Sequence, residues 1–354
     1  MKNNRIQLLE CTIRDGGLGL EDAWLNGISN EKMSCKERHE LVEIIASTGS
    51  DIIEIGSLQT NTSGRQGFAI YQNIEEASTY IPKNIKQHQL SVAMVRDPST
   101  PIEYVPIRTG NMIEGLRVVI KYSELLNSLE FCKKVSERGY KVFIQPMVTA
   151  RYSEEELNLL IKYANEINAY ALYFVDSYGY MMPEDVIKYV TLFDRELKMD
   201  IRIGFHAHNN MNMAFTNAIA FLSYNTERNI IIDSTCTGMG QGAGNLQTEI
   251  ISDYLNKKYN KEYNYEKILK ACDFVEQYNH DGLWGYSVMR LIPAIHSVAY
   301  KYAIYLRKVY GLSYVEIDKL LQLLSTMSTE MQHRYSKENV IRLLRAGGYN
   351  LGEK

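Results

Sequence analysis

The stretch I-G-F-H-A-H-N-N-M, residues 203–211, decides how the rest of the chain is interpreted. Its apolar residues predict a β-strand that ends on two histidines, His206 and His208. Residues i and i+2 of a strand point to the same side, so the two imidazoles are expected to project together. Imidazole is the commonest metal ligand, and two on one side make half of a metal site. A pair of surface histidines in a loop is the alternative that this pattern alone leaves open.

Two further stretches place polar groups just after predicted strands. Residues 8–17, L-L-E-C-T-I-R-D-G-G, are an apolar strand followed by Arg14, Asp15 and two glycines. Residues 233–249, D-S-T-C-T-G-M-G-Q-G-A-G-N-L-Q-T-E, are a strand end, a glycine-rich loop and a predicted helix. An α/β barrel carries its chemistry at the carboxyl ends of its strands. The three stretches therefore predict one site at that end of a barrel.

Length and composition are those of an ordinary globular protein. The chain has 354 residues, 45% hydrophobic and 23% charged, which is enough for a barrel and a smaller second region. The net charge of −3 and the lack of a basic block argue against a nucleic-acid partner. No apolar run approaches the ~18 residues of a membrane span. The five cysteines show no C-x-x-C spacing and predict reduced thiols in a cytoplasmic protein.

Predicted strands and helices alternate over most of the chain. The predicted strands are residues 5–12, 51–55, 89–95, 115–121, 141–148, 170–175, 201–206 and 229–233. The predicted helices between and after them are 36–48, 67–80, 123–138, 153–168, 183–198, 211–224 and 244–258, with 18–35 as a long loop typical of a lid. Eight such units predict a closed (β/α)8 TIM barrel over residues 1–260, with an open doubly wound sheet as the alternative.

The predicted alternation of strands and helices ends after residue 260. Helices are predicted over 265–278, 288–310, 314–326 and 337–346, with no strand between them. Residues 261–354 are therefore expected to form a small all-α C-terminal region that covers part of the barrel mouth or a neighbouring subunit.

With these stretches together, the sequence resembles the DRE-TIM metallolyase superfamily. This superfamily includes 4-hydroxy-2-oxovalerate aldolases, hydroxymethylglutaryl-CoA lyase and isopropylmalate synthase. The matching segments are T-I-R-D-G (12–16), H-A-H-N-N (206–210) and G-M-G-Q-G-A-G-N-L-Q-T-E (238–249), and weaker ones are I-I-E-I-G (52–56) and V-D-S-Y-G-Y-M (175–181). They run in family order, and the helical tail looks most like that of the hydroxy-oxovalerate aldolases.

The resemblance implies a divalent ion, Mn²⁺ or Mg²⁺, held by Asp15, His206 and His208. A carboxylate and two imidazoles with open positions suit such an ion. Asn245 is a fourth candidate, because the lyase branch of the superfamily uses an Asn of this loop as a ligand; a helix N-cap is the equally open alternative. The open positions would hold the keto oxygen and carboxylate of a 2-oxo acid such as pyruvate, with the ion acting as a Lewis acid on the enolate.

The resemblance also assigns residues around that ion. Arg14 would donate to the enolate oxygen, and Glu54 would orient it, although a purely structural Arg14–Glu54 pair is the alternative. Ser177 matches a family Ser near the substrate, with a turn residue as the alternative. Gly16 and Gly242 are assigned to substrate binding, where glycine lets the backbone approach the site.

One departure from the family concerns the general base. In the hydroxy-oxovalerate aldolases a His follows the T-L-R-D-G motif closely and serves as that base, whereas Gly17 and Leu18 follow here. The candidates to replace it are Tyr178, Tyr286, His88 and a metal-bound water, and Tyr286 is included among the predicted catalytic residues.

The expected function is that of a metal-dependent aldolase. It would make or cleave a C–C bond through a metal-bound pyruvate enolate, with an aldehyde as second substrate. A Claisen-type synthase or lyase that uses an acyl-CoA is the alternative, but the short tail favours the aldolase. A non-catalytic barrel subunit is a third possibility, against which the intact Asp/His/His set argues. A homodimer and a partner dehydrogenase complete the expected interactions.

Overall fold

Parallel strands close into a barrel because the first strand pairs with both the second and the last. The computed structural model describes residues 5–60, 64–279 and 282–349, so the outer ends of the two predicted domains lie outside the described residues. The strands are β1 Ile6–Glu10, β2 Ile52–Leu58, β3 Ile70–Tyr71, β4 Leu90–Val95, β5 Gly115–Ile120, β6 Lys141–Pro146, β7 Ala171–Asp176, β8 Arg202–Ala207 and β9 Ile230–Ser234. All but the short β3, which pairs with β2, form the ring. The predicted TIM barrel is confirmed, and the open sheet is wrong.

Helices follow most strands and then continue without strands to the end of the described chain. Those between the strands and after β9 are α1 Thr12–Leu25, α2 Cys35–Ser47, α3 Ile74–Ser78, α4 Leu125–Glu137, α5 Glu154–Glu166, α6 Pro183–Glu196, α7 Ala214–Ser223 and α8 Thr248–Tyr259. The tail helices are α9 Tyr265–Glu276, α10 Val288–Ile295, α11 Lys301–Tyr310, α12 Tyr314–Ser325, α13 Thr329–His333 and α14 Lys337–Ala346. None of the described helices is long and apolar enough to cross a membrane.

The helix α1 corrects the predicted loop over residues 18–35. Glycine lowers the intrinsic helix propensity, but the glycines of α1 permit close packing. A Cβ on Gly17 would lie 2.1 Å from the carbonyl oxygen of Phe68, and one on Gly19 would lie 2.8 Å from that of Gly240. The close contacts of Gly17 and Gly19 with distant parts of the chain therefore favour a helix here, although the sequence pattern indicates a loop.

Three other predicted helices differ in extent. The helix predicted over 67–80 is replaced by a 3-10 turn, β3 and the short α3. The helix predicted over 244–258 begins only at Thr248. The long tail helix predicted over 288–310 is two helices, α10 and α11. Elsewhere the predicted elements are found within a few residues of their expected bounds.

A small hydrophobic cluster is formed mainly by strand residues, and two further clusters divide the rest of the core. The larger one fills the space between the strands and the outer helices, and it includes Ile268 and Val275 of α9. The second lies within α10–α14, around Leu306, Leu321 and Leu343. The first tail helix thus packs with the barrel although it follows residue 260, and that boundary stays a prediction.

Candidate active site

His206 and His208 lie at the carboxyl end of β8, with ring centroids 5.0 Å apart. His206 Nδ1 donates to Asp233 Oδ2 at 2.9 Å, and His208 Nδ1 donates to the carbonyl oxygen of Asp176 at 2.8 Å. Each ring is thereby held with the Nε2 lone pair available, as in carboxylate–histidine–metal arrangements. Burial lowers the pKa of both imidazoles. Both are therefore neutral at neutral pH, the form that binds a metal.

Asp15 lies in the first turn of α1, where its Oδ2 is 3.4 Å from His206 Nε2. Burial opposes ionisation, but the guanidinium groups of Arg14 and Arg117 lower the pKa of Asp15. Ligand atoms of Cys11, Asp15 and His206 lie within 4.8 Å of one another, and His208 lies outside that group of three. The structure thus brings Asp15 to one predicted histidine ligand, and the full ligand set stays a prediction.

Asn245 is bonded to the same carboxylate. Its Nδ2 donates to Asp15 Oδ2 at 3.2 Å, while its Oδ1 is buried without a hydrogen-bond partner among the described residues. Asn245 does not cap α8, which begins at Thr248, so the N-cap interpretation is wrong. A Cβ on Gly240 would lie 2.5 Å from the Asn245 amide nitrogen, so glycine is required for this loop to approach it.

These side chains fit a divalent cation. The unpartnered oxygen of Asn245 is an acceptor that a cation would satisfy. Carboxylate and amide oxygens are ligands that Mn²⁺ and Mg²⁺ prefer, and imidazole is the commonest side-chain ligand of divalent metals generally. Two ligands at ~2.1 Å from one ion and at right angles lie ~3.0 Å apart. The 3.4 Å between Asp15 and His206 is close to that separation.

A chain of buried charges runs from Asp15 through the barrel. Arg14 contacts Asp15 Oδ1 through Nη1 and donates to Glu54 Oε2 through Nε at 2.7 Å. Arg117 donates to the same Glu54 oxygen at 2.6 Å and contacts Asp233 Oδ2. No member is more than 4% exposed. Three carboxylates and two guanidinium groups leave one net negative charge, which a bound cation would compensate.

Arg14 keeps one donor free. Its Nη2 is buried and has no partner among the described residues, although Arg14 lines the cavity described next. The predicted Arg14–Glu54 pair is observed, and it uses Nε. The pair can therefore have a structural role while Nη2 remains available to a substrate. Arg14 also contacts Asp15, and both residues lie in the first turn of helix α1.

A cavity of about 570 Å³ lies over these groups at the barrel mouth. The barrel contributes Arg14, Asp15, His206 and His208, and the tail contributes Ala294, Tyr300 and His333 among its lining residues. Tyr300 and Lys301 both contact the carboxylate of Asp22 in α1, which fixes α11 to the barrel. The tail of this chain therefore covers part of the mouth.

Besides Arg14, two of the predicted substrate-binding residues line the cavity, and one does not. Ser177 lines it, and its hydroxyl oxygen accepts the backbone N–H of Val148 at 2.8 Å. Gly242 lines it in a left-handed conformation, with φ of 64°. Gly16 instead packs under Met239, where a Cβ would lie 2.4 Å from the sulfur.

The three residues predicted as general-base candidates lie in three different places. Tyr286 is 54% exposed and lines a neighbouring cavity of about 340 Å³, so the structure does not bring it to Asp15 and His206. His88 is exposed before the amino end of β4, opposite the mouth. Tyr178 lines the main cavity, and its hydroxyl contacts Nδ1 of His333 in α13. Sequence reasoning missed His333, a lone histidine in a helical tail with no motif around it.

A closed parallel barrel with a carboxylate, imidazoles and an amide oxygen gathered at its mouth is the arrangement of a TIM-barrel metallolyase. The chain belongs to the HMGL-like family, whose model matches residues 5–275. The predicted superfamily is thereby confirmed, and this family is divalent-metal dependent.

Named relatives are enzymes. The 4-hydroxy-2-oxovalerate aldolase of Pseudoalteromonas translucida is 25% identical over 259 residues, which cover 73% of this chain and 71% of the relative. The oxaloacetate decarboxylase of Mycobacterium tuberculosis is 26% identical over 255 residues, which cover 71% of this chain and 70% of the relative. The expectation of a lyase rather than a non-catalytic barrel is confirmed.

Solved structures share the fold. The N-terminal domain of a candidate aldolase from Bacteroides vulgatus matches with a TM-score of 0.71 and 19% identity, covering 86% of this chain and 98% of that one. The HMG-CoA lyase of Bacillus subtilis matches with a TM-score of 0.60 and 17% identity, covering 77% of this chain and 92% of that one. At such identities the likeness is one of fold alone.

Proposed function

We propose that the chain is a divalent-metal-dependent aldolase that makes or cleaves a C–C bond beside the keto group of a 2-oxo acid. The observation that carries the proposal is the unpartnered Nη2 of Arg14, which lies beside the Asp15–His206 group at the cavity. A buried guanidinium nitrogen without an acceptor is costly. An oxygen of the substrate would satisfy it.

Asp15, His206, His208 and Asn245 are the residues proposed to hold the cation. When bound, the cation supplies Lewis acidity at the keto group and positive charge for the enolate. Arg14, fixed through Nε by Glu54, would donate from Nη2 to the oxygen on which negative charge develops. A donor fixed before the reaction starts stabilises that charge without reorganisation.

A 2-oxo acid is the substrate class that the relatives favour. The names 4-hydroxy-2-oxovalerate aldolase and oxaloacetate decarboxylase both denote enzymes that act on a 2-oxo acid. Ser177 and Gly242 both line the cavity and are proposed to contact the 2-oxo acid. Glu54 acts only by orienting Arg14, since it is 0% exposed.

The second substrate is proposed to be a small aldehyde. The cavity of about 570 Å³ is of the size that holds small ligands, and tail residues lie over it. An acyl-CoA as second substrate is the competing proposal, because the fold is shared with HMG-CoA lyases. A homodimer, a partner dehydrogenase and a cytoplasmic location belong to the same proposal.

Exchange of the pyruvate methyl protons tests the enolate directly. The protein is incubated with pyruvate in D₂O with Mn²⁺ or Mg²⁺, and deuterium uptake is followed by mass spectrometry. We expect metal-dependent uptake that is lost in Asp15→Asn. No uptake above that of metal alone would refute the proposal. Thermal protection by pyruvate or by an acyl-CoA in the presence of metal then separates the two second substrates.

A further inference from the structure

We propose that Tyr178 and His333 form the proton-transfer pair that acts on the hydroxyl group of the aldol. The inference rests on the proposed function and deepens it, because it assigns the group that replaces the missing histidine after Gly16. Tyr178 is proposed as the catalytic residue that touches the substrate, and His333 as the positioning residue that exchanges a proton with it.

The loop after β7 holds Tyr178 in a fixed place. The Asp176 carboxylate accepts the backbone N–H groups of Tyr180 and Met181 at 3.0 and 3.1 Å, which fixes the turn that contains Tyr178. The phenol ring stacks on His333, with centroids 5.5 Å apart and planes inclined by 20°. Both side chains line the cavity that contains Asp15 and the two histidines of β8.

The tail helix α13 is also held in register. Arg151 donates through Nη2 to Gln332 Oε1 at 2.9 Å and to the carbonyl oxygen of Ser297 at 3.3 Å. His333 follows Gln332 directly, so this contact positions the imidazole. Burial raises the pKa of Tyr178, and the nearby positive charge of Arg151 opposes that rise. Tyr178 therefore stays protonated, as a residue must that passes its own proton to His333 while it receives one from the substrate.

His333 has unused hydrogen-bonding capacity. Its Nδ1 contacts the Tyr178 hydroxyl, and its Nε2 is buried without a partner among the described residues. A buried ring nitrogen that lacks a hydrogen-bond partner costs folding free energy. A histidine with only a packing role would not explain this cost. The imidazole can take up a proton at Nδ1 and so act as a base toward the Tyr178 hydroxyl.

Other groups of similar chemistry around the cavity already have partners. The Ser177 hydroxyl accepts the N–H of Val148. The hydroxyl of Tyr300 and the ammonium group of Lys301 are both bonded to Asp22. Among these described lining residues, Tyr178 is the hydroxyl that is paired with an imidazole, whereas that of Tyr300 is paired with a carboxylate.

The proposed step balances as follows for cleavage. The substrate hydroxyl gives its proton to Tyr178 oxygen while Tyr178 gives its own proton to His333 Nδ1. The C–O bond becomes C=O, the neighbouring C–C bond breaks, and its electron pair forms the enolate of the 2-oxo acid. The aldehyde leaves, and the proton returns from His333 through Tyr178 to the enolate carbon. Synthesis is the same sequence in reverse.

Two reactions that share the enolate distinguish this role from a structural one. Cleavage of 4-hydroxy-2-oxovalerate requires removal of a hydroxyl proton, whereas decarboxylation of oxaloacetate yields the same enolate without it. We expect Tyr178→Phe and His333→Gln to lower kcat for cleavage by a factor on the order of 10²–10⁴. Release of CO₂ from oxaloacetate, corrected for the rate with metal alone, is expected to change by less than about twofold, because it precedes protonation of the enolate and requires no removal of a hydroxyl proton. Tyr180→Phe and Glu330→Gln are matched controls, since Tyr180 does not line the cavity and Glu330 is exposed on the same helix as His333.

Chemical rescue gives a second readout. Added imidazole is expected to restore part of the cleavage rate in His333→Ala and none in Tyr178→Phe. An equal loss of cleavage and decarboxylation in both variants, without rescue, would overturn the pair as a proton-transfer device. Lack of deuterium uptake in the unaltered protein would instead overturn the proposed function and this inference with it.

Discussion

Arg117 donates to Glu54 Oε2 at 2.6 Å, and both side chains are 0% exposed. Neither residue lines the cavity, but Glu54 also holds Arg14 and Arg117 also contacts Asp233, the partner of His206. Arg117, inside the barrel, thus fixes both Arg14 and His206, which line the cavity. Buried charges of this kind are expensive to separate, because removing one leaves the others without compensation.

We therefore expect Arg117→Met to destabilise the fold by about 3–5 kcal/mol, since Glu54 and Asp233 would remain buried without it. Urea unfolding followed by circular dichroism measures this. Arg195→Met is the matched control, because the Arg195–Glu196 pair lies at the surface. The prediction would be contradicted if Arg117→Met lowered the free energy of unfolding by no more than the control does.

Arg14→Lys is expected to keep metal affinity and to lower turnover by on the order of 10²–10³. Lysine retains the charge but lacks the planar fork that serves Glu54, Asp15 and a substrate oxygen together. Asp15→Asn should instead lower the affinity for Mn²⁺. The two variants are compared by metal titration and by deuterium exchange at saturating metal. An unchanged exchange rate in Arg14→Lys would make that residue structural.

Asn245→Asp is expected to make the fold more dependent on metal. A second carboxylate would lie within hydrogen-bond distance of Asp15, where like charges repel. The melting temperature should fall in EDTA and rise more steeply than that of the unaltered protein as Mn²⁺ is added. Asn217→Asp is the control, because Asn217 Oδ1 is also buried without a partner but belongs to α7, away from Asp15. Equal metal responses in the two variants would argue against Asn245 as a ligand.

Two truncations separate the roles of the tail helices. A chain that ends at residue 287 loses the second hydrophobic cluster but keeps α9, so it should remain soluble and unfold cooperatively while turnover is lost. A chain that ends at residue 261 also loses α9 and exposes the barrel surface beneath Ile268 and Val275, and we expect it to aggregate. Solubility, thermal unfolding and activity of both chains check this. Full activity of the 287-residue chain would show that the tail takes no part in the site.

The sequence predicted the parts of the site that follow strands, and it missed those that depend on distant packing. His206 and His208 could be placed because a strand has a strict two-residue period, and Asp15 because it follows β1. The helix α1 was missed because glycines normally disfavour helices, and its close contacts with Phe68 and Gly240 involve residues far along the chain. The pairing of Tyr178 with His333 joins residues 155 positions apart and leaves no local pattern.

That separation along the chain also sets an order of events during translation. The barrel residues proposed to hold the cation precede α9, whereas His333 is made about 90 residues after Asn245, at a ribosomal rate of ~5–20 residues per second. For several seconds a growing chain would carry the groups proposed to hold the cation and to stabilise the enolate, without the pair proposed to transfer protons to and from the substrate. Nascent chains would therefore be unable to carry out the full reaction. Activity would appear only after the segment that contains His333 has been synthesised.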